Sequence, residues 1–128
     1  MMNKILVIEN RISEGERIKS LLEKEGHHVI YISNGTEALL LSRLFLPDLI
    51  ICEVENARKR ILNICREVRN DNSLGLIPIL IYSDCEEDHC PIHFVEAGAD
   101  LFLSKTSGDN TFLHVVKGML KKLTGVTA

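Results

Sequence analysis

Five short apolar runs dominated by Ile, Val and Leu constrain this 128-residue chain more than any other feature. They are Ile5-Leu6-Val7-Ile8, Val29-Ile30-Tyr31-Ile32, Leu49-Ile50-Ile51-Cys52, Ile79-Leu80-Ile81-Tyr82 and the shorter Leu101-Phe102-Leu103. An unbroken run, as opposed to an alternating one, marks a strand covered on both faces, as parallel strands are. Between the runs lie helical stripes. Ile18, Leu21 and Leu22 form the first, closed by Gly26, and Ala38, Leu41 and Phe45 the second, ended before Pro47. Ile61, Ile64, Cys65 and Val68 form the third. The segment from about Cys90 to Ala97, with Pro91 in its first turn, is the fourth. Phe112, Val115, Val116, Met119, Leu120 and Leu123 form the fifth and clearest.

Strict alternation of strand and helix implies right-handed crossovers and helices on both faces of a parallel sheet. The expected fold is therefore α/β, a three-layer flavodoxin-like (βα)5 arrangement with a five-stranded parallel sheet in the order 2-1-3-4-5. A closed barrel would need eight strands. In this order the topology switches between the first and third strands, and ligands bind beyond the carboxyl ends of the strands there.

Length and composition narrow the function classes. A chain of this size is one domain, and it buries enough surface to need neither metals nor disulfides. It carries 15 Lys and Arg against 18 Asp and Glu, a net charge of −3, so no overall cationic field points to nucleic acid or an anionic membrane. No apolar run approaches the ~18 residues of a membrane span. Met1-Met2-Asn3-Lys4 leads straight into the first strand, too short a lead for a signal peptide, and a cytoplasmic location is expected. Of the four cysteines, Cys52 and Cys65 sit among apolar residues and read as small core hydrophobes.

Polar residues follow the first, third, fourth and fifth strands. Glu9 and Asn10 follow the first, Glu53 the third, Ser83 and Asp84 the fourth, Ser104 and Lys105 the fifth. Carboxylates, an amide, a hydroxyl and an ammonium thus converge on the crevice at the switch point. Oxygens of this kind hold hard cations, and a lysine with a hydroxyl neutralises an anion.

Five segments carry a resemblance over essentially the whole chain: Lys4 to Asn10, Ser33 to Leu39, Pro47 to Val54, Ile77 to Ser83, and Glu96 to Lys105 with its Ala97-Gly98-Ala99-Asp100 core. In order and spacing they resemble the receiver domain of bacterial two-component response regulators, and the chain reads as a single receiver-like domain over 1–128. The resemblance implies phosphotransfer. In that family an aspartate ending the third strand takes a phosphoryl group from a histidine kinase, an acidic pair after the first strand holds Mg²⁺, and a Ser/Thr and a Lys bind the phosphoryl oxygens. An aromatic residue on the fifth strand relays the state to the surface of the fourth helix, fifth strand and fifth helix. Carried over, Glu53 is the phosphoacceptor position, Glu9 and Asn10 the acidic pair, Ser83 the switch hydroxyl, Lys105 the lysine and Phe102 the aromatic.

Four departures shape the functional expectation. Glu53 has one methylene more than aspartate and reaches ~1.5 Å further, into the space a phosphoryl group would fill and toward Lys105. Asn10 offers a neutral carbonyl where the family has an acid, which leaves a weak or absent Mg²⁺ site on Glu9, Asn10 and Glu53. The loop Val54-Glu55-Asn56-Ala57-Arg58-Lys59-Arg60 lacks the usual Pro-Gly turn and leaves room for an earlier start to the third helix. Thr106 replaces the proline that usually follows the lysine, so no cis peptide is expected there.

These departures point to a degenerate, pseudo-receiver-like module. It would act through protein interaction at the surface of the fourth helix, fifth strand and fifth helix, toward a sensor histidine kinase or a downstream regulatory protein. Glu53 would mimic a phosphorylated carboxylate by holding Lys105, though with one negative charge where a phosphoryl group brings nearly two. No enzyme, nucleic-acid or membrane role is expected. An exposed remainder of the fifth-helix stripe would serve a homodimer, a common use in the family. No output domain follows Leu123, which fits either a single-domain receiver or part of a longer chain.

Two further readings stay open. One is an active Mg²⁺-dependent phosphoacceptor. The other is a metal or redox sensor built on Cys85-Glu86-Glu87-Asp88-His89-Cys90-Pro91-Ile92-His93, whose spacing matches no standard zinc pattern. Arg58, Lys59, Arg60, Arg66 and Arg69 around the third helix read as a solvated face.

Overall fold

All five apolar runs form strands: β1 (Lys4–Ile8), β2 (His28–Ile32), β3 (Leu49–Cys52), β4 (Ile79–Ser83) and β5 (Leu101–Ser104). They alternate with α1 (Ile12–Lys24), α2 (Ala38–Phe45), α3 (Arg58–Asn70), α4 (Cys90–Ala97) and α5 (Asp109–Leu123). The computed structural model describes residues 3–33, 35–53, 58–84 and 90–123. Every strand pair is parallel and the sheet order is β2-β1-β3-β4-β5, as the alternation implies.

The period-two pleat divides the core into two layers. Leu6, Ile8, Ile50, Cys52, Ile79 and Ile81 face Ile61, Ile64, Cys65 and Val68 of α3 and Phe94 of α4. Ile5, Val7, Leu49, Ile51, Leu80 and Tyr82 face Ile18 and Leu22 of α1 and Phe112, Val116, Met119 and Leu120 of α5. Cys52 and Cys65 are buried free thiols, and burial pushes both pKa values up, that of Cys65 to about 11. This keeps them protonated and inert.

The helix ends follow the sequence signals. Gly26 takes the left-handed conformation (φ +90°) just beyond α1. Leu46 does the same after α2 (φ 51°), directly before Pro47. The structure corrects one expectation about the cationic face. Arg69 is not solvated there. Its guanidinium donates to the carbonyls of Gly75, Ile77 and Gly98 and to Asp100, pinning the end of α3 to the turn that enters β5.

Gly15 marks the tightest helix–sheet approach, since a Cβ there would overlap the ring of Tyr31 on β2. Alanine ordinarily improves a helix interior by ~1 kcal/mol. Gly15→Ala is nevertheless expected to destabilise by about 1–3 kcal/mol through overpacking, lowering the midpoint of a thermal melt by roughly 4–10 °C. A raised midpoint would mean that the Tyr31 ring gives way.

Candidate functional site

The register carries the site residues to one place. Ile8 pairs with Cys52, so Glu9 and Glu53 leave adjacent strands side by side. The Glu9 N–H donates to the Ile32 carbonyl (3.1 Å) and that of Glu53 to the Ile8 carbonyl (2.9 Å), which fixes both as extensions of the sheet. Glu9, Glu53 and Ser83 are buried, at 0%, 2% and 0% exposure. Asn10 is exposed at the turn into α1.

Lys105 comes in from the far side. It opens a single 3-10 turn, Lys105–Ser107, after β5. Hydroxyls hold this turn where the family uses proline. The Ser104 Oγ accepts from the Thr106 N–H (3.2 Å) and the Ser107 hydroxyl donates to the Ser104 carbonyl (2.6 Å). No cis peptide bond occurs among the described residues. The ammonium, on a side chain only 7% exposed, donates to Glu14 Oε2 (2.9 Å) and Glu9 Oε2 (3.1 Å) and lies 3.4 Å from Glu53 Oε1. It also sits 5.6 Å from the centroid of the Tyr82 ring, which stacks on Phe112 of α5. Glu53 therefore does reach Lys105, but as the most distant of three carboxylates.

Two residues of this site escape a reading of strand ends alone. Glu14 lies in the first turn of α1, where it binds both Lys105 and Arg17 (2.7 Å), and Arg17 continues to Asp109 at the start of α5 (2.9 Å). Arg11 is the N-cap of α1. Its guanidinium lies 3.6 Å from Glu9, 3.7 Å from Glu53 and 4.0 Å from Asp84. Each left a trace in the sequence. Glu14 and Arg17 are spaced i, i+3. Arg11 stands where Ser, Thr, Asp or Asn would cap a helix.

The charges shift one another. Burial pushes the Glu53 carboxyl up to about 7; Lys105 opposes the rise and Glu9 adds to it. Neither Glu53 oxygen accepts a hydrogen bond from a described residue. The Arg17 guanidinium draws Glu14 down to about 2, with Lys105 assisting against a burial penalty. Burial alone would lower the Lys105 pKa, but the hydrogen bond to Glu14 and the charges of Glu53 and Glu9 raise it.

Phe102 is partly buried on β5, its ring 6.1 Å from that of Phe94 on α4, against the layer that also contains Ala97. Ile92 and Val95 on α4 and Leu101 on β5 are about half exposed. The loop 54–57 and residues 85–89 of the Cys85–His93 run proposed for metal or redox sensing lie outside the described residues. Among the described residues no group of three or more His, Cys, Asp or Glu side chains is placed to hold a metal ion. No described helix is long and apolar enough to cross a membrane.

Known proteins are similar to this chain in sequence and in fold. Protein PilH of Pseudomonas aeruginosa is 24% identical over 119 residues, covering 93% of this chain and 98% of PilH. The alkaline phosphatase synthesis transcriptional regulatory protein PhoP of Bacillus subtilis is 29% identical over 122 residues, and there the chain spans only 50% of the relative's length. The crystal structure of the signal receiver domain of a signal transduction histidine kinase from Syntrophus aciditrophicus superposes with a TM-score of 0.81 at 28% identity, over 98% of this chain and 92% of that one. The family model for the response regulator receiver domain matches residues 5–117. With the five-stranded 2-1-3-4-5 sheet and a lysine, a hydroxyl and two buried carboxylates at its switch point, the chain belongs to the response regulator receiver domain family.

Proposed function

We propose that this receiver domain works as a protein-interaction module of two-component signalling that is not phosphorylated in the ordinary way. One observation carries the reading. The Glu53 carboxylate stands at the acceptor position, buried, with an oxygen 3.4 Å from the Lys105 ammonium. A carboxylate there occupies the space from which the lysine would meet a phosphoryl oxygen. Alignment of acceptor, phosphorus and charge to a fraction of an ångström is what phosphoryl transfer needs. Glu53 shares the lysine with Glu9 and Glu14, so it acts as one member of a charge cluster that fixes the turn after β5.

The partner is a sensor histidine kinase or a downstream regulatory protein, and the half-exposed apolar side chains Ile92, Val95 and Leu101 support docking on the α4–β5–α5 face. A second reading, an active acceptor, draws on the two Glu53 oxygens that take no hydrogen bond from described residues. One titration decides between them. Beryllofluoride, a phosphoryl stand-in, is added with Mg²⁺ while the amides of Glu9, Glu53, Ser83, Phe102 and Lys105 are followed by NMR. No saturable shift is expected. Saturable shifts spreading to Phe102 would establish the active acceptor instead.

A further inference from the structure

We propose that the Arg11 guanidinium is the resident cation of this crevice and takes the place of the divalent metal that receiver domains use. The inference concerns the cation, and it stands whether or not Glu53 can accept a phosphoryl group.

Three observations meet on Arg11. The first is position. The guanidinium lies between the carboxylates of Glu9 (3.6 Å), Glu53 (3.7 Å) and Asp84 (4.0 Å), one from the end of each central strand β1, β3 and β4. These are the oxygens a hard cation would draw on. The second is local cost. An arginine at a helix N-cap supplies no capping oxygen and puts a positive charge at the positive end of the helix dipole. The carboxylates compensate for that placement: Glu9 Oε1 takes the Arg11 backbone N–H (3.0 Å) as well as pairing with its guanidinium. The third is fit. Mg²⁺ demands oxygens at ~2.0–2.1 Å in near-octahedral array. Protein sites commonly give it one or two carboxylates and complete the shell with water, and here the two buried candidates, Glu9 and Glu53, both already face the Arg11 guanidinium. A dication would also lie beside two monocations, because Lys105 contacts the same Glu9 and Glu53 carboxylates from the other side. The side chains present therefore do not fit Mg²⁺; they fit a guanidinium, whose broad, weakly hydrated charge spans several carboxylates.

The test is a Mg²⁺ titration to ~10 mM at constant ionic strength, with no phosphoryl analogue present, on the wild type, Arg11→Ala and Arg11→Lys. Thermal midpoint and amide shifts are read together. The wild-type midpoint should move by less than ~1 °C. Arg11→Ala should begin lower and rise by about 4–6 °C as Mg²⁺ is added, the response for a dissociation constant of ~1 mM, with amide shifts at Glu9, Glu53 and Asp84. Arg11→Lys keeps the charge and should stay unresponsive. Arg11→Gln retains bulk without charge and carries the alanine expectation should that variant not fold. Saturable Mg²⁺ shifts at Glu9 and Glu53 in the wild type would overturn the proposal. So would a folded Arg11→Ala or Arg11→Gln that ignores Mg²⁺. Either failure leaves the acceptor reading to the beryllofluoride titration, which reports on Glu53.

Discussion

Lys105→Met is expected to cost the fold about 3–5 kcal/mol at pH 8, the loss typical when one partner of a buried ion pair is removed. The variant keeps most of the side-chain volume, so packing alone does not account for such a loss. It leaves Glu9 and Glu53, both buried, and Glu14, largely buried, without the ammonium that lies 2.9–3.4 Å from them. For a domain of this size the thermal midpoint should fall by roughly 10–20 °C. Part of the loss should return at pH 5. Without the lysine, the Glu53 carboxyl, already raised by burial, loses the charge that opposes that rise and climbs further above its unfolded value. Its protonated form is then favoured by folding at low pH, and that contribution vanishes as pH climbs, while Arg17 still holds Glu14 low. A loss below ~1 kcal/mol, equal at pH 5 and pH 8, would show that the three carboxylates find water as readily as they find Lys105.

The second large effect is a decline of stability toward alkaline pH that is governed by Glu53. Its carboxyl is raised from 4.5 to about 7, first by burial and then by Glu9, against the pull of Lys105. The sign follows from linkage. A folded pKa above the unfolded one means that the native state holds the proton more tightly. The resulting stability is complete below ~4.5 and is lost as pH rises through ~7, up to roughly 3 kcal/mol in all. Glu14 runs the other way: lowered to about 2, it contributes in full above ~4.5 and is lost progressively as pH falls from there toward 2. Denaturant melts of the wild type should therefore show stability falling between pH 5 and pH 8. Glu53→Gln, neutral at every pH, should flatten that slope and exceed the wild type at pH 8. A wild-type profile that is level across this range would mean that Arg11 and Lys105 hold Glu53 ionised throughout.

Most of the fold was legible because parallel α/β proteins write their topology in period and order. The runs ending at Ile8, Ile32 and Cys52 give the strand ends to the residue, and the run ending at Tyr82 stops one residue short of Ser83. Gly26 and Pro47 mark the first two helix ends through backbone restrictions that no tertiary contact needs to impose. The site was legible only where function follows strand ends. Glu9, Glu53, Ser83 and Lys105 converge as the order 2-1-3-4-5 requires. The expectation of a private Glu53–Lys105 pair was too simple, because α1 is directed into the crevice and brings Glu14 and Arg11 with it. A contact across 91 residues, such as Glu14 to Lys105, has no periodic signature. Arg69 shows the same limit: its place in the sequence is that of a surface cation, and only the turn at Gly98 turns it inward.

The sharing of Glu53 between Arg11 and Lys105 also couples substitutions at these positions. Glu53→Asp would withdraw the carboxylate by about one methylene from both cations at once. With Arg11 still in place, the shortened acid would gain no divalent partner in exchange. Substituting Arg11 first would leave Glu9 and Glu53 facing each other with one fewer positive charge. Because Glu53 and Arg11 share partners, the two substitutions should not act additively: the effect of either depends on whether the other has already been made.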